Sequence, residues 1–106
     1  MKHTAFFGDA EHVFALTDAM IIELERVTET GIGALYLRVT RANFTLADLG
    51  HVIRLGLIGG GLKPERAHAL CAAYAADRPL EEIYPLALNI LDARWSGTPK
   101  EDPAHD

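Results

Sequence analysis

The spacing of apolar residues changes once along the chain. The segments "TAFFG" (4–8) and "HVFAL" (12–16) are short and rich in aromatic and β-branched residues, with Gly8, Asp9, Ala10 and Glu11 between them. That pattern predicts a β-hairpin over residues 4–16. Two strands alone are marginal in water, so the hairpin must pack on the rest of the domain or pair with another chain. From residue 17 the period is helical. Thr17 can cap a first helix on which Met20, Ile21, Leu24 and Val27 share one face, while Glu23, Arg26 and Glu29 turn away. Thr30 and Gly31 end it. Ile32, Leu35, Tyr36 and Val39 then predict a short second helix that stops before Asn43.

"TLAD" (45–48) resembles a capping box, with Asp48 in place of the more usual Glu, and the third helix presents Leu49, Val52, Ile53 and Leu57 to a core. The stretch "LIGGGLKPER" (57–66) could be a phosphate-cradling loop or a hinge between helices. A Walker loop places Lys and then Ser or Thr directly after the last glycine and follows a strand; here Leu62, Lys63 and Pro64 follow, and a helix precedes. The glycines of a dinucleotide fingerprint also follow a strand. A hinge is the better reading, with Gly59 as a left-handed C-cap and Pro64 in the first turn of the next helix. Lys63 beside that helix start leaves weak anion binding as the alternative. The fourth helix turns Ala67, Leu70, Cys71 and Tyr74 inward, and its alanines let a neighbouring helix approach closely. Pro79 opens the fifth, Glu81 and Glu82 suit the positive end of its dipole, and Pro85 predicts a bend or an offset start near Tyr84. This last helix carries one stripe of Ile83, Ala87, Ile90 and Leu91 and a second of Tyr84, Leu88 and Trp95, with Leu86 outside both. A helix so widely apolar is either central to the bundle or covered by another protein. The fold class expected is therefore mainly α: a small bundle of about five helices with an N-terminal β-hairpin. Residues 1–97 form a single domain, hairpin 4–16 and helices 17–97. "TPKEDPAHD" (98–106), with two prolines and almost nothing to bury, reads as a disordered tail.

Composition narrows the chemistry. A chain of 106 residues holds one domain, with no room for separate cofactor and substrate domains. A net charge of -5 disfavours general attraction to nucleic acid, and Arg38, Arg41 and Arg54 read as a solvated helix face. The lone Cys71 makes no internal disulfide, which with the lack of a signal peptide or membrane span points to the cytoplasm. His68 and Cys71 are three apart on a helix, but no second ligand pair stands at a recognisable metal spacing. Cys71 alternates with core positions and reads as a small apolar side chain rather than a nucleophile. His51 flanks Leu55 and Ile58 as a packing or surface residue; Glu23, Glu25 and Glu29 are helix-surface carboxylates; His3, His12 and His105 look incidental. No catalytic constellation, cofactor site or metal site is expected.

The order of these segments carries a resemblance. "LTDAMIIELE" after a hairpin, then "FTLADLGHVIRLGLIGGG", an alanine-rich helix and "RPLEEIYPLALNIL" are similar to the small tail proteins of gene transfer agents and related siphophages. These are grouped as tail assembly chaperones and have also been labelled tail tube proteins. The resemblance spans residues 6–97 and is most specific over 44–61; Lys63 departs from it where a better N-capping residue is expected. It implies a non-enzymatic protein that binds the long helical tape measure protein and other tail proteins, keeps apolar tape segments soluble and delivers them to the tube subunits. On that reading Tyr84, Leu88 and Trp95 are the partner-binding face, as apolar and aromatic anchors at helical spacing. Two alternatives stay open. A structural tail subunit, a homo-oligomer, would pair hairpin edges between copies. A small-ligand module would use the glycine hinge and Lys63.

Overall fold

The computed structural model describes residues 1–97; the tail expected over 98–106, with His105, lies outside the described residues. The elements run β1 (Lys2–Phe7), β2 (Ala10–Ala15), α1 (Asp18–Thr28), α2 (Ile32–Thr40), α3 (Leu46–Gly59), α4 (Pro64–Tyr74) and α5 (Leu80–Ser96). The result is the expected mainly α fold with an N-terminal antiparallel hairpin. The strands are longer than the pattern suggests and the turn is tighter, with Ala10 and Glu11 inside β2 and only Gly8 and Asp9 linking the Phe7↔Ala10 pair. Gly8 makes this possible: its φ is +70°, and a Cβ there would lie 2.3 Å from the Tyr74 ring. Phe14 and Phe7 turn inward and meet edge to face at 6.2 Å, and Phe14 is fully buried. Burying a ring of that size stabilises the domain by roughly 2–3 kcal/mol, which fixes the hairpin to the helices.

Local signals set most helix starts. Thr17 accepts from the Met20 N–H at 3.2 Å, and Thr45 and Asp48 form the full capping box of α3. The end of α1 differs from expectation: Glu29, at φ 54°, takes the left-handed position, and Gly31 serves as the N-cap of α2. Gly31 has no side chain to cap with. Glu25 supplies that acceptor, taking the Ile32 N–H at 2.8 Å, so it is a capping carboxylate rather than a plain surface one.

The centre of the bundle is α3, which is in contact with β2, α1, α4 and α5. Its buried residues Leu49, Val52, Ile53, Leu55 and Leu57 step round most of the helix, which is why no single stripe stands out. α5 packs on α3 with one face and against the hairpin and α2 with others, and it runs unbroken across Pro85, without the offset start expected near Tyr84.

The three glycines form a hinge, with roles differently divided than expected. Gly59 is still helical; Gly61, at φ +115°, carries the positive φ. The Leu62 N–H donates to the Leu57 carbonyl and the Gly61 N–H to the Ile58 carbonyl, both at 3.0 Å, which is a Schellman closure. Gly59 and Gly60 have another function. A Cβ on Gly59 would fall 1.8 Å from the Ala15 carbonyl oxygen, and one on Gly60 1.9 Å from that of Val13. The triplet is where the outer edge of β2 lies directly against the end of α3.

Candidate interaction surfaces

Three surfaces could carry function, and each follows from how the elements meet. The first is the face predicted on α5. Tyr84 donates its hydroxyl to the Val39 carbonyl at 2.9 Å and stacks on Phe44 at 4.9 Å, so its polar and aromatic contacts are within the chain. Leu88 is half-buried against the core. Trp95 remains 54% exposed, although its ring stacks on Tyr36 at 4.2 Å and 7°. Beside Trp95 runs a groove of about 310 Å³ between α1, α2 and α5, lined by Leu16, Ile21, Ile32, Tyr36, Leu91 and Arg94 as well. Arg94 holds the end of α5 there, donating to the Leu16 carbonyl at 2.7 Å and to Asp18 Oδ1 at 2.6 Å. The three predicted residues therefore separate: Trp95 lines a groove whose other walls come from elsewhere in the chain, while Tyr84 is occupied in pinning α2. Tyr36 was readable only as a core residue of α2, because its stacking depends on how α2 lies across α5.

Tyr36 also donates to Asp92 Oδ1 at 2.6 Å. That hydrogen bond raises the phenol's pKa above its ordinary 10.0, and burial and the Asp92 charge act the same way. A raised folded-state pKa means that the bond's stabilisation is complete below the ordinary phenol value and is lost as pH rises through the folded one. Tyr36→Phe should therefore melt below the wild type at neutral pH, and the gap between the two melting temperatures should close above about pH 10. A gap that persists unchanged there would show that the bond contributes nothing.

The second surface lies between α3 and α4, where His51, Arg54, His68 and Cys71 line a shallow, mostly apolar groove. Arg54 Nη2 donates to His51 Nδ1 at 3.2 Å. Burial first, and then the Arg54 charge, lower the His51 pKa, so the ring is neutral at pH 7. Burial pushes the Cys71 thiol up to about 11, which keeps it protonated and weakly nucleophilic. Among the described residues no group of three or more His, Cys, Asp or Glu is placed to hold a metal ion. Arg38, expected on a solvated face with Arg41 and Arg54, instead makes a two-pronged bond to the buried Asp48 at 3.0 and 2.8 Å. Its periodicity placed it outward, but the α2–α3 connection folds it back over the first turn of α3. No helix of the described residues is long and apolar enough to cross a membrane.

The third surface is the hairpin. Phe6 is 69% exposed and Val13 38%, both on the outward face with Thr4. The two edges of the hairpin are unlike. The Val13 and Ala15 carbonyls on the outer edge of β2 point at Gly60 and Gly59, so that edge is covered. Along β1 lies a groove of about 520 Å³ that touches the outward Phe6 as well as the inward His3, Ala5 and Phe7, so it follows the strand's edge; α5 forms its floor with Ile83, Leu86 and Asn89.

No curated protein and no solved structure matches the chain. A family profile described as "Phage tail tube protein, GTA-gp10" matches residues 1–97, which are all the described residues, from the hairpin to the end of α5. The order hairpin, capped helices, glycine exit and long last helix is thus that of a phage tail family, and the chain belongs to the phage tail tube proteins of the GTA-gp10 type.

Proposed function

We propose that this protein is a non-enzymatic structural subunit of a phage-like tail, working in the cytoplasm of the cell that builds the particle through contacts with other copies and with other tail proteins. The observation that carries this reading is the family match across the whole described domain, whose description names a tail tube protein rather than a chaperone. The open side of the hairpin, with Phe6 exposed on it, supports association between copies.

A second reading, the tape measure chaperone, is favoured by one observation: the apolar groove beside the half-exposed Trp95. Groove-bound apolar helices anchor through such residues. Co-expression with the tail proteins of the same genome, followed by affinity purification, light scattering and electron microscopy, separates the readings. A subunit should co-purify with other tail proteins and remain in assembled tails. A protein that binds the tape measure protein, blue-shifts its sole tryptophan, Trp95, on doing so, and is absent from finished tails is the chaperone. In that case Leu88→Asp and Trp95→Ala, if folded, should lose the tape protein. Failure to co-purify with any tail protein would remove both readings.

A further inference from the structure

We propose that α1 of one copy docks in the groove between α3 and α4 of a second copy, with Ile22 over Ala47 and Gly50 and with Glu29 on the second copy's Arg54. The inference deepens the self-association proposed above and rests on it. The groove, about 330 Å³, has Ala47, Gly50 and Arg54 on one wall and Ala72 and Ala76 on the other. Side chains this small let another helix come close. Gly50 has no use for that space within the chain. Glycine inside a helix is unfavourable relative to alanine, so its neighbours usually explain it. Of the three glycines in α3, Gly56 is pressed by Ile90 at 3.2 Å and Gly59 by the Ala15 carbonyl, but nothing lies within 4 Å of a Cβ on Gly50. Arg54 is likewise unmatched. Among the described residues its hydrogen bond is to His51, a neutral ring, and nearby Glu23 gives both of its oxygens to Arg26.

Three features choose α1 of a second copy as the occupant. First, it carries apolar surface that its own chain leaves uncovered: Ile22 is 66% exposed, beside the exposed Ala19. Second, spacing and charge agree. Glu29 follows Ile22 by seven positions, as Arg54 follows Ala47, so each pair spans two turns, about 10 Å. The other charges on this face are matched within the chain, Asp18 by Arg94 and Arg26 by Glu23. The exposed Glu29 has no side-chain hydrogen bond or ion pair among the described residues, and a carboxylate is what Arg54 lacks. Third, the match fixes a direction. Ile22 on Ala47 and Glu29 on Arg54 run α1 parallel to the second copy's α3, which brings the negative end of α1 to the guanidinium. The reverse direction would set the positive helix start there. α1 does not fill the groove of its own chain, because its opposite face, with the fully buried Leu24, is fixed on α3.

The test is light scattering of the purified chain across a concentration series. The wild type should rise above the chain mass of 11.6 kDa as concentration increases. Ile22→Gln and Gly50→Gln should each weaken association by about tenfold or more with an unchanged far-ultraviolet circular dichroism spectrum, since one side chain is exposed and the other site is open. Glu29→Arg and Arg54→Glu should each weaken it as well, and the double variant that carries both should associate again, because the ion pair is restored with its signs exchanged. A wild type that remains monomeric at millimolar concentration would overturn the proposal. So would an oligomer that Ile22→Gln and Gly50→Gln leave unchanged, or two disruptive charge reversals that do not rescue each other. Loss of another tail protein in Gly50→Gln but not in Ile22→Gln would show that the groove holds a foreign helix instead of α1. A monomer that still enters assembled tails would sink this contact while leaving the tail-subunit reading intact. An oligomer with the expected variant pattern that is absent from tails would do the reverse.

Discussion

Gly60→Ala should be among the most destabilising single-methyl additions in this protein, costing about 3 kcal/mol or more, with Gly59→Ala close behind. The added Cβ would sit 1.9 Å from the Val13 oxygen in the first case and 1.8 Å from the Ala15 oxygen in the second. Both obstacles are backbone atoms of a strand held in register with β1 on its other side, so neither can rotate out of the way. Relief requires β2 to lift from α3, and that withdraws the buried Phe14 from the core. The neighbouring Gly61→Ala provides the control. Nothing lies within 4 Å of its Cβ, but φ is +115°, so only backbone strain of about 1–2 kcal/mol is expected. Gly50→Ala, in open space inside α3, should be neutral or stabilising by up to about 1 kcal/mol, because alanine is the better helix former. Urea unfolding followed by circular dichroism would rank the four. If Gly60→Ala fell no lower than Gly61→Ala, the close approach of the hairpin would not be a feature of the folded protein in solution. The same series bears on the anion-binding alternative, since a phosphate loop would give an alanine phenotype in binding rather than in stability.

These glycines show what was legible in the sequence and what was not. The triplet marked the end of a helix, and Pro64 marked the start of the next, because both effects are local to the backbone. Which glycine would turn left-handed, and which would admit a strand, depends on β2, about 45 residues earlier. The capping box at Thr45 and the cap at Thr17 were readable for the same local reason. Glu25 capping the next helix was not, since it needs the α1–α2 turn to bring a mid-helix carboxylate onto Ile32. The widely apolar α5 drew attention as the central helix, although α3 holds that place. Leu55, falling on the flank opposite Ile53 and Leu57, was the available signal. Of the candidate site, Trp95 was readable as an apolar residue with too little core to cover it. The groove around it, and the difference between the two hairpin edges, arise from contacts distant in sequence and have no trace in periodicity.

Asp48→Ala is expected to cost about 3 kcal/mol, against about 1 kcal/mol for Thr45→Ala, although both residues belong to one capping box. Thr45 loses one hydrogen bond to the Asp48 N–H at 3.1 Å, and a water can replace it. Asp48, 2% exposed, accepts the Thr45 N–H at 2.9 Å and both prongs of Arg38. Its removal leaves a guanidinium side chain only 29% exposed without its carboxylate. Partial exposure lets Arg38 regain some water, which places the expected cost at the lower end for a broken buried pair. The helix ends add to the effect, since Asp48 lies at the positive start of α3 and Arg38 in the last turn of α2. Asp48→Asn separates the contributions: it keeps an oxygen for the Thr45 N–H and loses the charge, so it should fall between alanine and wild type. A double-mutant cycle with Arg38→Met should give a coupling of about 1–3 kcal/mol. The consequence reaches the groove as well. α2 is fastened by Arg38 to α3 and by Tyr36 and Tyr84 to α5, so loosening one end should disturb the other. In Asp48→Ala the stacking of Tyr36 on Trp95 should weaken, and acrylamide should quench the tryptophan more readily while the protein is still folded. Unchanged quenching, with the stability loss as expected, would mean that α2 is held at the groove by its tyrosines alone.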